Sequence, residues 1–188
     1  MRRVLLAALL LSALLYLPGS SRGGPYDDYK SLNKAERRLA LRYFWQIGKV
    51  KSAAELARRE STARYPQLSG QDDQRDAHRH STWNGAMTAK LESEQAAKRW
   101  GDAHEEIPNN PAQRKAMDLS NNAKGRAIVW SQRQRSGPWW WRKTRFPSES
   151  QIADRMQQAV NNGELVMIEE VNGQRDPQAG RHVPTQRP

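Results

Sequence analysis

DAHRHSTWNGAM, residues 76–87, sets Asp76, His80 and Asn84 at spacing i, i+4, i+8, which puts all three on one face of an α-helix. Two further polar stretches lie downstream: DAHEE at 102–106 and MDLSNNAKGR at 117–126. The last sets Asp118, Asn121, Asn122 and Gly125 at i, i+3, i+4, i+7, again one helical face. A solvated helix face in so basic a chain would carry Lys, Arg and Glu. These stripes carry His, Asp and Asn instead, which are poorer helix formers. Residues that cost helix stability, aligned on single faces, predict helices that meet around a polar centre.

Outward from these stretches the pattern stays helical. Residues 72–91 read as the helix carrying the first stripe, with Asp72 and Asp73 suited to its positive N-terminal end. Residues 93–106 form the next, with Ala96, Ala97, Trp100 and His104 facing inward. Residues 111–131 carry the third stripe, opened by Asn110 as N-cap and Pro111 as first helical residue. Upstream, Asn33 with Glu36 is a capping box for a helix over 33–47 ended by Gly48, and 52–64 is a second helix stopped by Pro66. Downstream, Ser148 with Gln151 opens a helix that ends at Gly163. ELVMIEEV (164–171) reads as one strand or an extended cover. The expectation is a mostly α single domain of five to six helices over 33–173, with one short C-terminal strand or hairpin. Residues 174–188, polar with three prolines, read as a disordered tail.

The pattern DxxRHxxWNxxM, then HE, then MDLxNNxxGR resembles an uncharacterised bacterial domain family found in exported and toxin-like proteins. The resemblance covers about 33–170 and is sharpest over 76–126. It carries onto Asp76, Arg79, His80, Trp83 and Asn84, then His104 and Glu105, then Asp118, Asn121, Asn122 and Gly125. It implies a boundary and a site, with no reaction attached. His78 is not part of the carried pattern.

Arg2 and Arg3, an apolar run over 4–17 and the small residues after Pro18 have the layout of a secretory signal peptide, 1–21, followed by a polar linker, 22–32. The run is short of the roughly 20 residues a membrane span needs, so a cleaved leader is favoured over a signal anchor. The expected location is periplasmic or secreted. With no cysteine, the chain has no disulfide and no cysteine-built zinc site. A net charge of +11, two lower without Arg2 and Arg3, favours an anionic membrane or envelope polymer as partner, with nucleic acid least favoured. Nothing in the sequence sets an oligomeric state.

His80 and His104 are the candidates for acid–base or ligand work. Asp76 is one turn before His80 and orients it, and Asp118 and Glu105 supply further carboxylates. Asn84, Asn121 and Asn122 would orient groups or stabilise developing negative charge. Three readings stand open. A divalent metal is a candidate cofactor, with His80, His104 and Asp118 as ligands, although the spacing is not HExxH and His78 with His80 at i, i+2 point apart. Metal-free His/Asp hydrolysis of an envelope component, phospholipid or cell wall, is the second. The third is a buried, hydrogen-bonded network that only joins helices. Ser81 and Ser120 lie near the motifs, but neither sits on a strand-to-helix elbow. Trp83 and Trp100 read as core and Gly125 as a helix contact. Trp139, Trp140 and Trp141 cannot all be buried in one short loop, and with Arg142 and Lys143 they suit a membrane interface.

Overall fold

Asp73 starts the helix around which the rest of the molecule is arranged. Its carboxylate accepts the Asp76 backbone N–H at 3.0 Å and, through its other oxygen, Gly70 N–H and the Ser69 hydroxyl, each at 2.9 Å. The computed structural model describes residues 32–185, so the expected leader, nearly all of the linker and the last three residues lie outside the described residues. Within them are six α-helices: α1 (Lys34–Arg42), α2 (Ile47–Arg64), α3 (Gln74–Leu91), α4 (Glu94–His104), α5 (Ala112–Ser131) and α6 (Glu149–Asn161). The mostly α expectation holds.

Every residue of α3 from Asp76 to Thr88 is buried except Arg79, because α2, α4, α5 and α6 pack around it. One apolar cluster joins α1, α2, α3 and α4 through Ala40, Leu56, Trp83, Met87 and Trp100. The other joins α3, α5 and α6 through Ala77, Val129, Ile152, Met156 and Val160. Burying each large side chain stabilises the fold by about 1.5–3 kcal/mol. Close approach of α3 and α5 is set at Gly125, where a Cβ would stand 2.1 Å from the Ser81 carbonyl oxygen.

The chain departs from expectation in three places. The first helix stops at Arg42, not at 47; a 3-10 turn (Phe44–Gln46) follows, and α2 begins at Ile47. Gly48 therefore lies in the first turn of a helix instead of ending one. The bond from Trp100 Nε1 to Gln46 Oε1, 2.8 Å, ties that turn to α4. Pro111 is the N-cap of α5, one residue later than predicted.

The third departure is the tail. Residues 174–185 are not a loose segment: β4 (Glu170–Val171) pairs antiparallel with β5 (Gln174–Arg175), and β3 (Val166–Ile168) with β6 (His182–Pro184). Thr185 finishes the closure, donating its N–H to Leu165 O at 2.9 Å and its hydroxyl to Val160 O at 2.9 Å. Polar side chains hid these pairings because they rest on backbone hydrogen bonds. The remaining pair, β1 (Gln134–Ser136) and β2 (Lys143–Arg145), is a hairpin whose tip is a 3-10 turn of Trp139–Trp141.

Candidate functional site, a histidine among three carboxylates

His80 is 5 % exposed, and three buried carboxylates from three segments converge on its ring. Asp76, one turn earlier on α3, places Oδ1 3.5 Å from His80 Nε2. Asp118 on α5 places Oδ1 3.5 Å from the same nitrogen. Glu105, just past α4, faces Nδ1 at 3.5 Å. These contacts exceed ordinary hydrogen-bond length. Asp118 Oδ1 and His80 Nδ1 have no hydrogen-bond partner among the described residues.

Each member is held from behind. Asp76 Oδ2 accepts the Asp72 backbone N–H at 2.8 Å, and Asp72 itself grips the Arg114 guanidinium with both oxygens at 2.8 and 2.6 Å. Asn122 donates to Glu105 Oε1 at 3.0 Å, Asn84 donates to Asn122 Oδ1 at 2.6 Å, and Arg126 donates to Asn84 Oδ1 at 2.8 Å. This relay is wholly buried and runs from α3 through α5 to the end of α4. Arg79 closes the solvent side. Its Nη2 donates to Asp76 Oδ1 and stands 3.2 Å from His80 Nε2, while its side chain is 46 % exposed.

The electrostatics follow from crowding. Burial would pull His80 down, but the charges of Asp118 and Asp76 and the facing Glu105 overcome it and hold the ring's pKa at about 9. Burial pushes Asp118 up to about 7, with Asp76 and Glu105 adding to the push and His80 opposing it. Burial would also raise Glu105, but His80, His104 and Asn122 outweigh it and hold its carboxyl below the usual range. The centre thus gathers more negative charge than its buried surroundings comfortably hold.

Asp76, His80, Glu105 and Asp118 come together, and Asn84 and Asn122 support them. His104 does not join. It turns to α1, where Nδ1 lies 2.8 Å from Glu36 Oε1, and its ring packs edge-on against Trp83. With Nδ1 turned to Glu36, His104 is not in the group that could hold a metal ion among the described residues, which is Asp76, His80 and Asp118 where His80, His104 and Asp118 were expected. His104 and Glu105 are adjacent and diverge, as neighbours at a helix end must. Asn121 also leaves the centre: its amide clamps β3, donating to Val166 O at 2.8 Å and accepting Val166 N–H at 3.0 Å. His78 points into the α6 side of the core, with Nε2 3.2 Å from Ala153 O. The Ser81 hydroxyl is buried and donates back to Ala77 O at 2.8 Å. Asp72, whose backbone N–H holds Asp76, was not among the predicted site residues, and neither was Glu36, the residue that draws His104 away; Glu36 is 68 positions from His104, and no local pattern links them.

The tryptophan hairpin is separate. Trp139, Trp140 and Trp141 are 80 %, 71 % and 68 % exposed, and Lys143 Nζ lies over the Trp141 ring at 5.6 Å. A groove of about 720 Å³ at its foot is lined by Lys90, Lys143, Arg145, Phe146 and Ile152, and not by His80.

Fold and site define a small helical domain with a buried His/Asp centre. The chain belongs to the family described as a domain of unknown function, DUF6973, whose model matches residues 37–164. That span contains all three polar stretches. Comparison with curated proteins and with solved structures gave no match.

Proposed function

We propose that this chain is an exported hydrolase of an envelope component, phospholipid or cell-wall polymer, with His80 at its chemical centre. The observation that carries this is the convergence of three buried carboxylates on one imidazole. A scaffold has no use for three like charges at one buried point, whereas proton transfer and ligand binding do. In the reaction, water adds to the acyl carbon or phosphorus of the substrate. Asp118, whose carboxyl pKa burial raises to about 7, accepts the water's proton, the His80 imidazolium beside it steadies the developing negative charge, and Asp118 returns the proton to the leaving group as the scissile bond breaks, giving acid plus alcohol from an ester, or acid plus amine from an amide. Access is past Arg79, the exposed member of the centre.

The leader-like residues 1–21 support export. Among the described residues no helix is long and apolar enough to cross a membrane. The exposed tryptophan hairpin, flanked by Arg135, Arg142, Lys143 and Arg145, supports contact with an anionic membrane. Asp118 lies 13 residues before the end of α5, where the hairpin begins, about 20 Å at helical rise. The hairpin therefore anchors the domain and does not deliver substrate.

The rival reading, a non-catalytic envelope-binding protein with a structural polar network, draws on the Asn84–Asn122–Glu105 relay, which is fully buried and hydrogen-bonded. Incubating the full chain with phospholipid vesicles and, separately, with peptidoglycan separates them. Hydrolysis of one substrate that falls 100-fold or more in folded His80→Gln supports the enzyme. Absence of hydrolysis in both arms, or equal activity in the variant, rejects it.

A further inference from the structure

We infer that Asp76, His80 and Asp118 hold one divalent transition-metal ion of the zinc class. The three ligand atoms, Asp76 Oδ1, His80 Nε2 and Asp118 Oδ1, lie within 4.8 Å of one another, with the imidazole 3.5 Å from each carboxylate oxygen. Ligands about 2.0–2.1 Å from a tetrahedral zinc ion are about 3.4 Å apart, which the two imidazole–carboxylate distances of 3.5 Å already match. Asp118 Oδ1 points at the cluster, is buried, and has no hydrogen-bond partner among the described residues. An unpartnered carboxylate oxygen there is costly unless a cation meets it.

The surroundings match those of a metal site. A ligating histidine turns its second nitrogen to an orienting carboxylate, and His80 Nδ1 faces Glu105, itself fixed by Asn122 and Asn84. Asp76 keeps its ligand oxygen aimed because its other oxygen is held by the Asp72 backbone. The Gly125 contact between α3 and α5 sets the spacing of the two carboxylates. Charge agrees: a divalent ion that replaces the imidazole proton and the Arg79 guanidinium brings the same two positive charges to the three carboxylates. One imidazole with two carboxylates suits zinc and its neighbours, whereas calcium and magnesium favour oxygen alone. Arg79 now touches both Asp76 and His80 as a surrogate cation, and its exposed side chain is free to turn outward when the ion enters. Ion binding is measured apart from hydrolysis. The ion's role in hydrolysis, lowering the pKa of a bound water in the fourth position, rests on the hydrolase proposal and takes the place of proton transfer by Asp118, which as a ligand no longer carries the proton.

Equilibrium dialysis of chelator-treated full chain against zinc, with elemental analysis, tests the site. The expected result is one zinc per chain that millimolar calcium and magnesium do not displace, and cobalt(II) should give the intense visible bands of four-coordinate geometry. Asp118→Asn and His80→Gln should lose the ion, and Glu105→Gln should weaken it 10–100-fold. His104→Ala should keep it, and Arg79→Ala should bind at least as tightly. Circular dichroism checks folding; if a ligand variant unfolds, the wild-type cobalt spectrum and Glu105→Gln decide. No bound zinc, retention by folded Asp118→Asn, loss in folded His104→Ala, or displacement by calcium overturns the inference. Zinc binding without hydrolysis sinks the hydrolase alone, and hydrolysis undiminished in chelator sinks the metal alone.

Discussion

At the scale of single residues, two histidines two positions apart on α3 meet opposite fates. His80 faces carboxylates and is held protonated, with a pKa of about 9. His78 faces the α6 core, and burial pulls it down to about 4, with its bond to Ala153 O opposing. The helical period made their divergence legible, since i and i+2 cannot share a face. Which of them would be neutral was not legible, because it depends on what α6 and α5 bring from far away in sequence. His78 gives a pH prediction. Its folded pKa lies below the ordinary 6.5, so the unfolded chain binds the proton more readily. The stability this neutral histidine contributes is present above about pH 6.5 and lost as pH falls through about 4. Urea unfolding of wild type and His78→Gln across pH 7 to 4 should show wild type losing up to about 3 kcal/mol more than the variant. Parallel pH profiles would mean that His78 is not buried as described.

At the scale of elements, the sequence patterns located the helices but not all their ends. Capping boxes at Asn33 and Ser148 formed as their spacing implies. Gly48 misled, because glycine is also tolerated inside a helix when packing elsewhere stabilises it. The two glycines make opposite predictions. A Cβ at Gly48 meets nothing within 4 Å, so Gly48→Ala should stabilise by about 0.5–1 kcal/mol through helix propensity. A Cβ at Gly125 would strike the Ser81 backbone on α3, so Gly125→Ala should destabilise by about 3 kcal/mol. Thermal unfolding of both variants checks the pair, and a harmless Gly125→Ala would refute the close α3–α5 contact that spaces Asp76 and Asp118. The strands were the least legible elements. Residues 174–184 look like a tail by composition, and their pairing partners are fixed by the tertiary fold, not by alternation of side chains.

For the whole molecule, the buried polar centre and the exposed tryptophan hairpin are separate features. The hairpin's exposed indoles contribute little to folding, so replacing Trp139, Trp140 and Trp141 together by alanine should leave the melting temperature nearly unchanged. The same replacement should abolish sedimentation with anionic vesicles, and wild-type binding should fall with added salt, since exposed charges are screened beyond about 10 Å at 0.1 M. Salt-insensitive binding, or unfolding of the triple variant, would make the hairpin part of the core. The polar centre was legible as three stripes because helix faces declare themselves by spacing. That Glu105 and not His104 faces His80 was not, because α4 ends one residue before Glu105 and that turn decides which side chain enters. The central claim is that the His80 centre is kept for function at a cost in stability. Urea unfolding of Asp118→Asn beside wild type, both in chelator, tests it most directly. Removing one of three crowded carboxylates should leave the protein as stable or more stable, because burial and the neighbouring Asp76 and Glu105 disfavour the Asp118 charge more than His80 favours it. A loss of about 3 kcal/mol or more would show that Asp118 is a structural partner and would contradict the account.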